Sequence, residues 1–428
     1  MDDSPTRLLE LAISRHGEGK LAEAETLYLR LLDTQGDHVE GLHFLGILRH
    51  QMSRSEEGIA LMVQALTLDA NSAGRFNDLG NVLHQCGDAA NAAEAFQNAT
   101  LLDPRDATLW NNLGSALQQL GKHNEAEQAF RQAIALNPDL AEALNNLAGL
   151  LAARGDEEAA AEQYCRAYIL PPLEGKPPRM LAIAYYRLER YAEAADCYRA
   201  WLKEEPGNAQ AAHMLAACSG EAVPARADDA FVVATFDDMA AEFEYKLVHR
   251  LGYRGPELVA ELLAFAAPAP ASLDILDCGC GTGLCAPVLH PYARHLAGVD
   301  LSTRMLAKAA ARQIYDMLTE DELTAYLHRH PQQFDLLVAA DTLIYFGDLA
   351  PVFIAMRQGL RPGGKLIFTV ETATGSGYDL HPSGRYRHDP EYLLSTLAQA
   401  GFTPMTVREA VLRREFGQPT LGLAVLAA

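Results

Sequence analysis

Residues 273–283 read Leu-Asp-Ile-Leu-Asp-Cys-Gly-Cys-Gly-Thr-Gly: a short apolar run, an acid, then glycines at 279, 281 and 283. A buried strand that ends in such a turn and opens into a helix, predicted here from Leu284 to Leu289, places backbone N–H groups and the positive end of a helix beside a ligand. The dinucleotide pattern G-x-G-x-x-G would need its third glycine at Leu284 and fails there. Working outward, the next acid at a strand end is Asp300 in Leu296-Ala-Gly-Val-Asp. It stands where a carboxylate can accept both hydroxyls of a ribose.

The chain beyond it alternates in the manner of a doubly wound sheet. Ser302 or Thr303 caps a helix start, and a third strand is expected within Tyr315 to Leu323. Phe334 to Ala340 is a buried apolar strand, with Asp341-Thr-Leu-Ile-Tyr345 at the edge where open α/β sheets bind ligands. A helix from Leu349 to Leu360 leads to the turn Arg361-Pro-Gly-Gly364 and a fifth strand, Lys365 to Val370. Helix Pro390 to Ala400 precedes strands Met405 to Arg413 and Leu421 to Leu426, joined by Phe416-Gly-Gln-Pro as an antiparallel hairpin. Between the fifth strand and the last helix, Tyr378 to His388 reads as a loop dense in donors, acceptors and titratable groups, either a functional loop or a solvated connector.

The glycine turn resembles motif I of class I S-adenosylmethionine (SAM)-dependent methyltransferases, and Leu-Arg-Pro-Gly-Gly-Lys-Leu resembles their turn before the fifth strand. The resemblance implies an α/β Rossmann-like domain with a seven-stranded sheet and an antiparallel last strand. It implies SAM as cofactor, held by Asp277, Gly279, Gly281, Gly283, Asp300 and Ala340, with Leu301 and Met305 as apolar contacts to the adenine. An acid that accepts the adenine amine is expected among Glu320, Asp321 and Glu322, with Glu322 and the backbone of Leu323 favoured. Phe236-Asp-Asp-Met-Ala-Ala-Glu-Phe243 resembles a lid segment whose aromatics cover SAM (Phe236) and the acceptor (Phe243); the alternative is an amphipathic helix packed on a core. Both aromatics are Phe, so hydroxyl-dependent roles do not carry over. Tyr345, Arg385 and Tyr386 are further candidates for the acceptor site. A hydroxyl acceptor would need a base, for which Asp341, His381 and His388 are candidates; an amine or thiolate would need none.

The first half is periodic. Pro104, Pro138, Pro172 and Pro206 recur every 34 residues. Around them Trp110, Leu113, Gly114, Leu117, Ala126, Phe130 and Ala133 repeat as Phe76, Leu79, Gly80, Leu83, Ala92, Phe96 and Ala99, and forward as Leu144, Leu147, Ala148, Leu151, Ala160, Tyr164 and Ala167. This register resembles the tetratricopeptide (TPR) signature and implies an all-α solenoid over residues 5–218, six repeats and a capping helix. Residues 219–228, rich in Gly and Pro, are read as a linker, and 229–428 as the methyltransferase domain. Asn111, Asn112, Asn145 and Asn146 occupy matching places in two repeats. In TPR proteins that resemble this array, above all O-linked N-acetylglucosamine transferases, such asparagines bind peptide backbone on a concave face; the alternative is plain solvation. A protein or peptide partner is expected there, and a small-molecule acceptor is possible.

Composition narrows the classes. The net charge of −21 is shared, −13 over residues 1–220 and −8 over the rest, so no basic face for nucleic acid is expected. The seven cysteines suggest free thiols, and Cys278, Cys280 and Cys285 read as small packing residues with no metal site. Met1-Asp-Asp-Ser-Pro lacks the marks of a signal peptide, and no apolar run approaches a membrane span, so a cytoplasmic protein without membrane partners is expected.

Overall fold

Each 34-residue period closes into a helical hairpin because one residue between its helices takes the left-handed conformation. Gly19, Ser53, Gly87, Gly121, Gly155 and Glu189 do this in turn, with φ of 73, 63, 81, 76, 82 and 57°. The computed structural model describes residues 4–240, 242–415 and 418–428. It divides into two compact units, Met1–Lys176 and Pro177–Ala428.

The first unit holds five hairpins: α1 (Pro5–Gly17) with α2 (Leu21–Thr34), α3 (Val39–Gln51) with α4 (Ser55–Leu68), α5 (Ala73–Gln85) with α6 (Ala89–Leu102), α7 (Ala107–Gln119) with α8 (His123–Leu136), and α9 (Ala141–Ala153) with α10 (Glu157–Tyr168). Small residues set the helix separation: a Cβ built on Gly80 would lie 2.6 Å from the ring of Phe96, and one on Gly114 would lie 2.6 Å from Phe130. Both rings are buried between helices, so a side chain at either glycine would force the hairpin open.

Polar side chains on the first helices of successive repeats bond across a step of 35 residues. His43 Nε2 lies 3.0 Å from Asp78, Asn112 donates to Asn77 at 2.9 Å, and Asn146 donates to Asn111 at 2.9 Å. Asn111 is itself buried and Asn145 is exposed. Three of the four asparagines singled out in the sequence therefore join repeats to one another.

The second unit begins with the sixth hairpin, α11 (Pro178–Arg187) and α12 (Tyr191–Glu204), followed by α13 (Ala209–Ser219). Then come α14 (Asp229–Met239) and α15 (Gly255–Ala266). The sheet is built from β1 (Leu273–Cys278), β2 (Ala293–Asp300), β3 (Met317–Glu320), β4 (Phe334–Ala339), β5 (Leu360–Thr372), β6 (Tyr378–Leu380), β7 (Tyr386–His388), β8 (Pro404–Glu415) and β9 (Gln418–Ala427). Its main path is β3-β2-β1-β4-β5-β9-β8, with β9 antiparallel to both β5 and β8. Helices α16 (Ala286–Leu289), α17 (Thr303–Ala311), α18 (Leu323–Arg329), α19 (Ala350–Gly359) and α20 (Pro390–Gln399) connect the strands. One apolar core lies between the sheet and α18 to α20, around Leu337, Phe353, Phe368 and Leu397; the other lies under α15 and α16, around Val259, Ile275, Val338 and Ile367. This is the predicted α/β architecture with antiparallel last strands.

Three details differ from the sequence reading. The helix after the glycine turn is only the four residues of α16, followed by a 3-10 turn at His290–Tyr292, so its dipole contributes little beyond its first N–H groups. Residues 378–388 are not a loop: β6 and β7 form a small antiparallel hairpin, and β7 adds to the end of β5 at Glu371 and Thr372. Arg361 to Gly364 bulges within β5, since Phe334 pairs with Leu360 while Leu336 pairs with Lys365. The Phe416-Gly417 part of the predicted hairpin turn lies outside the described residues, as does Ala241 of the lid segment. Among the described residues no helix is long and apolar enough to cross a membrane.

Candidate active site

A cavity of about 420 Å³ opens at the C-terminal edge of β1, β2 and β4. Parallel pairing explains why so many of the predicted residues meet there: all three strands end on the same side of the sheet, so the residue following each faces one space. Asp277, Gly279, Gly281, Asp300, Leu301, Met305, Glu322, Leu323, Ala340, Asp341, Tyr345, Phe236, Phe243 and Arg385 all line it. Gly283, Tyr386, His381 and His388 do not.

The glycine turn is shaped by contacts that a side chain would break. A Cβ on Gly279 would fall 2.6 Å from Thr342, whose hydroxyl donates to the carbonyl of Cys278 at 2.7 Å. Gly281 faces open space, and its N–H donates to Asp300 Oδ2 at 2.8 Å; Ser302 N–H donates to Oδ1 at 2.9 Å. Burial raises the Asp300 carboxyl above its usual range in spite of these two donors. Asp277 is buried too, and desolvation lifts it to about 7 against the bond donated by Tyr315 at 2.6 Å, with the Asp300 charge adding to the rise. Thr282 lines the same cavity, 1 % exposed, with a hydroxyl that has no partner.

A buried carboxylate, Asp277, a half-buried one, Asp300, neither paired with a cation among the described residues, and an orphaned hydroxyl are the complement of a ligand bearing positive charge and hydroxyl groups. These residues fit SAM, which carries an ammonium, a sulfonium and a ribose diol. Farther along β3, the two Glu322 oxygens accept from Thr324 N–H and Ala325 N–H at 3.0 and 2.8 Å, so this side chain serves as the N-cap of α18. Asp321 beside it accepts from Glu322 N–H and pairs with Arg329.

The lid segment is tied down at two points. Ser302 donates to Asp237 at 2.6 Å and Arg304 donates to the Asp237 carbonyl at 2.9 Å; Arg312 joins Glu244 to the carbonyl of Thr282, both at 2.6 Å. Phe236 makes edge contacts with Phe243 and Tyr345, at 5.7 and 5.6 Å between centroids. Helix α14 ends at Met239, so Phe243 lies beyond it, and Phe236, Met239 and Phe243 all line the cavity.

The opposite wall is a charge cluster. Arg413, 2 % exposed, donates from Nη1 to both Asp341 oxygens at 2.8 and 3.1 Å, from Nε to Glu415 at 2.8 Å, and from Nη2 to Glu371. Arg385 donates to Glu371 at 2.8 Å and to Glu415 at 2.6 Å. Asp341 sits at the left-handed φ of 61°, which turns its carboxylate back onto the wall. Of the three candidate bases it alone reaches the cavity. His388 is wholly buried and donates from Nε2 to the carbonyls of Phe346 and Gly347 at 2.8 and 3.2 Å, and burial holds it down to about 4. His381 shares a hydrogen bond with Ser383 at 2.9 Å within the β6–β7 turn. Tyr386 donates to the carbonyl of Pro224 at 2.8 Å.

Arg413, Glu415, Glu371, Thr282 and Tyr253, which also lines the cavity, went unread in the sequence. Glu371 did carry a signal, a charge directly after the buried run Phe368-Thr-Val370 at a ligand-binding strand end. Arg413 carried none, since two of its three partners, Glu371 and Asp341, are 42 and 72 residues away. Cys278, Cys280 and Cys285 are buried free thiols pushed up by desolvation, and among the described residues no three His, Cys, Asp or Glu converge as a metal cluster.

Residues 276–368 match the family described as "Methyltransferase domain". Residues 107–140, 80–121 and 180–221 match "Tetratricopeptide repeat", "TPR repeat" and "Fis1 C-terminal tetratricopeptide repeat". The chain is similar to a "Ubiquinone biosynthesis O-methyltransferase" of Thiobacillus denitrificans, 28% identical over 179 residues that cover 40% of this chain and 72% of that protein. It is also similar to "Phosphoethanolamine N-methyltransferase 1" of Arabidopsis thaliana, 27% identical over 164 residues, 33% of this chain and 32% of that protein. Among solved structures, an S-adenosylmethionine dependent methyltransferase from Mesorhizobium loti aligns at 25% identity over 39% of this chain and 97% of its own, with a TM-score of 0.31.

Proposed function

We propose that this chain, a run of tetratricopeptide repeats followed by a class I methyltransferase domain, binds SAM in the cavity and methylates a small molecule lodged against Tyr345 and the Arg413 cluster. The observation that carries the reading is the pair of carboxylates Asp277, buried, and Asp300, half-buried, both raised by desolvation around an open glycine turn. In this reading Asp277 faces the ammonium, Asp300 accepts the ribose hydroxyls, Leu301 and Met305 flank the adenine, and Glu322 and Leu323 close its edge. Phe236, Phe243 and Tyr345 shut out water.

SAM supplies a methyl already activated by its sulfonium, so the chain's share is alignment and desolvation. An acceptor hydroxyl hands its proton to Asp341, whose carboxyl burial raises against the pull of Arg413; an amine needs no such transfer. Small-molecule acceptors are supported by a concave cavity walled by Phe236, Phe243 and Tyr345 and by the two curated relatives, whose names specify ubiquinone biosynthesis and phosphoethanolamine. The repeats then serve to recruit a protein or peptide partner.

The test is extract incubated with the full chain and methyl-labelled SAM, with label followed separately into protein and small molecules. Label in the small-molecule fraction is expected; label in protein would transfer the acceptor role to a polypeptide. Asp300→Ala is expected to weaken SAM binding at least about tenfold by calorimetry, since each charge-assisted bond to the ribose is worth roughly 1.5 to 3 kcal/mol. Affinity equal to wild type would place the ribose elsewhere. Removing residues 1–176, a cut between the two compact units, is expected to leave SAM affinity unchanged. Turnover on the natural acceptor should fall by about a hundredfold as effective concentration is lost. Full turnover without those residues would end the recruitment reading.

A further inference from the structure

The end of the repeat array and the acceptor wall are parts of one body. Helix α13, which caps the sixth hairpin, packs within the second unit and presents His213 and Met214 to the tip of the β6–β7 hairpin. His213 is 4 % exposed, and its Nε2 lies 2.8 Å from the carbonyl of Gly384. A carbonyl only accepts, so Nε2 carries the proton. The ring stacks on Phe231 of α14 at 3.9 Å and meets Tyr386 edge-on at 6.2 Å. Gly384 sits at φ 79°, and a Cβ there would lie 3.2 Å from Met214 Sδ and 3.6 Å from His213. The next residue is Arg385, which reaches the cavity and bonds Glu371 and Glu415.

The stretch expected to be a linker adds a second tie. Ala225 accepts from the N–H groups of Gly347 and Asp348 at 2.9 and 2.8 Å, Arg226 bridges to Phe346 in antiparallel fashion, and Ala227 N–H donates to Tyr345 at 2.8 Å. Tyr386 closes the set by donating to Pro224. Both segments that supply acceptor-side residues, 345–346 and 385, are thus held from behind by α13 and the strap that leaves it.

We propose that α13, the cap of the repeat array, is a positioning element of the acceptor site, with His213 setting Arg385 through Gly384. The proposal rests on the methyltransferase reading for its acceptor but not for its geometry. His213 touches neither cavity nor reacting atoms. Its loss should therefore act on the acceptor and not on SAM.

Hydrogen–deuterium exchange on the full chain reads the positioning directly. In His213→Leu the amides of His381 and Gly384, which close the hairpin turn onto Arg385 and His381, are expected to exchange about tenfold faster. His213→Gln, whose side-chain amide can still donate to Gly384, should restore the wild-type rate. With the acceptor fraction found by label transfer, His213→Leu should raise the half-saturating acceptor concentration about tenfold, with maximal rate and SAM affinity near wild type and His213→Gln again restoring it. Unchanged exchange at 381 and 384 in the leucine variant would overturn the proposal. So would failure of glutamine to restore it, or a loss of SAM affinity together with faster exchange across the whole sheet, which would mark His213 as a general packing residue. If wild type binds no SAM, the methyltransferase reading fails, while the exchange result still judges whether α13 positions the hairpin.

Discussion

Arg413→Leu is expected to lower the unfolding free energy of the sheet-bearing unit by about 3 to 5 kcal/mol. The guanidinium is 2 % exposed and is the shared partner of Asp341, Glu371 and Glu415. Removing it leaves Arg385, which bonds Glu371 and Glu415, to face the three acids without Arg413. A single lost hydrogen bond would cost far less, so the size of the effect tells an uncompensated buried charge from a missing contact. The pH dependence carries the same signature. Glu415 is depressed because Arg385 and Arg413 outweigh its burial, so it stabilises the wild-type fold above its unfolded pKa, and that contribution is lost as pH falls through its folded value. In the variant the sign turns, since a buried carboxylate short of its cation takes up a proton instead, and the deficit should shrink in mild acid. Scanning calorimetry of the full chain, following the transition that SAM shifts, checks both. A loss below about 1 kcal/mol, the range of an exposed pair, would mean the cluster is solvated.

Raising the pH from about 4 to 7 should destabilise the ligand-free protein through Asp277. Its folded value of about 7 lies above the 3.8 of an ordinary Asp, because burial disfavours the charged form. The folded state therefore holds more protons across that window. The Asp277 contribution to stability is greatest below 3.8 and falls as pH rises towards 7, by up to about 4 kcal/mol. Asp277→Asn should remove this part of the slope and leave the part due to Asp300, which is also raised by burial. SAM should oppose the trend, because an ammonium beside Asp277 favours its charged form; its affinity then rises with pH up to about 7 and binding releases protons. Calorimetry in two buffers of different ionisation enthalpy measures that release. A slope unchanged by Asp277→Asn would show that Asp277 is already ionised in the free protein.

How much of this was legible follows from what local chemistry can encode. The six hairpins were readable because each repeats one solution: a left-handed residue at the same step from Gly19 to Glu189, and a small residue opposite an aromatic, as at Gly80 and Phe96. The sheet was readable from the apolar runs and the acids at their ends, since parallel strands carry their last residues to one edge. The short β6–β7 hairpin was not, because residues 378–388 carry no alternating apolar pattern. They form strands only because the free end of β5, at Glu371 and Thr372, is there to pair with β7.

Sequence by itself determined the repeat period, the glycine turn and the strand-end acids Asp277 and Asp300, because each depends on residues within a few positions of one another or on one fixed spacing. Tertiary structure alone decided which polar residues face the cavity. Asp341, His381 and His388 are equal as bases in the sequence, yet packing turns Asp341 onto the wall, buries His388 against two carbonyls and leaves His381 in a turn. It alone made Arg413 the centre of the charged wall of the cavity and carried the sixth hairpin into the sheet-bearing unit, through contacts such as His213 to Gly384 across 171 residues. Such long-range pairs arise from the register of β5, β8 and β9 and from the faces that helices bury, and no short stretch of chain contains either.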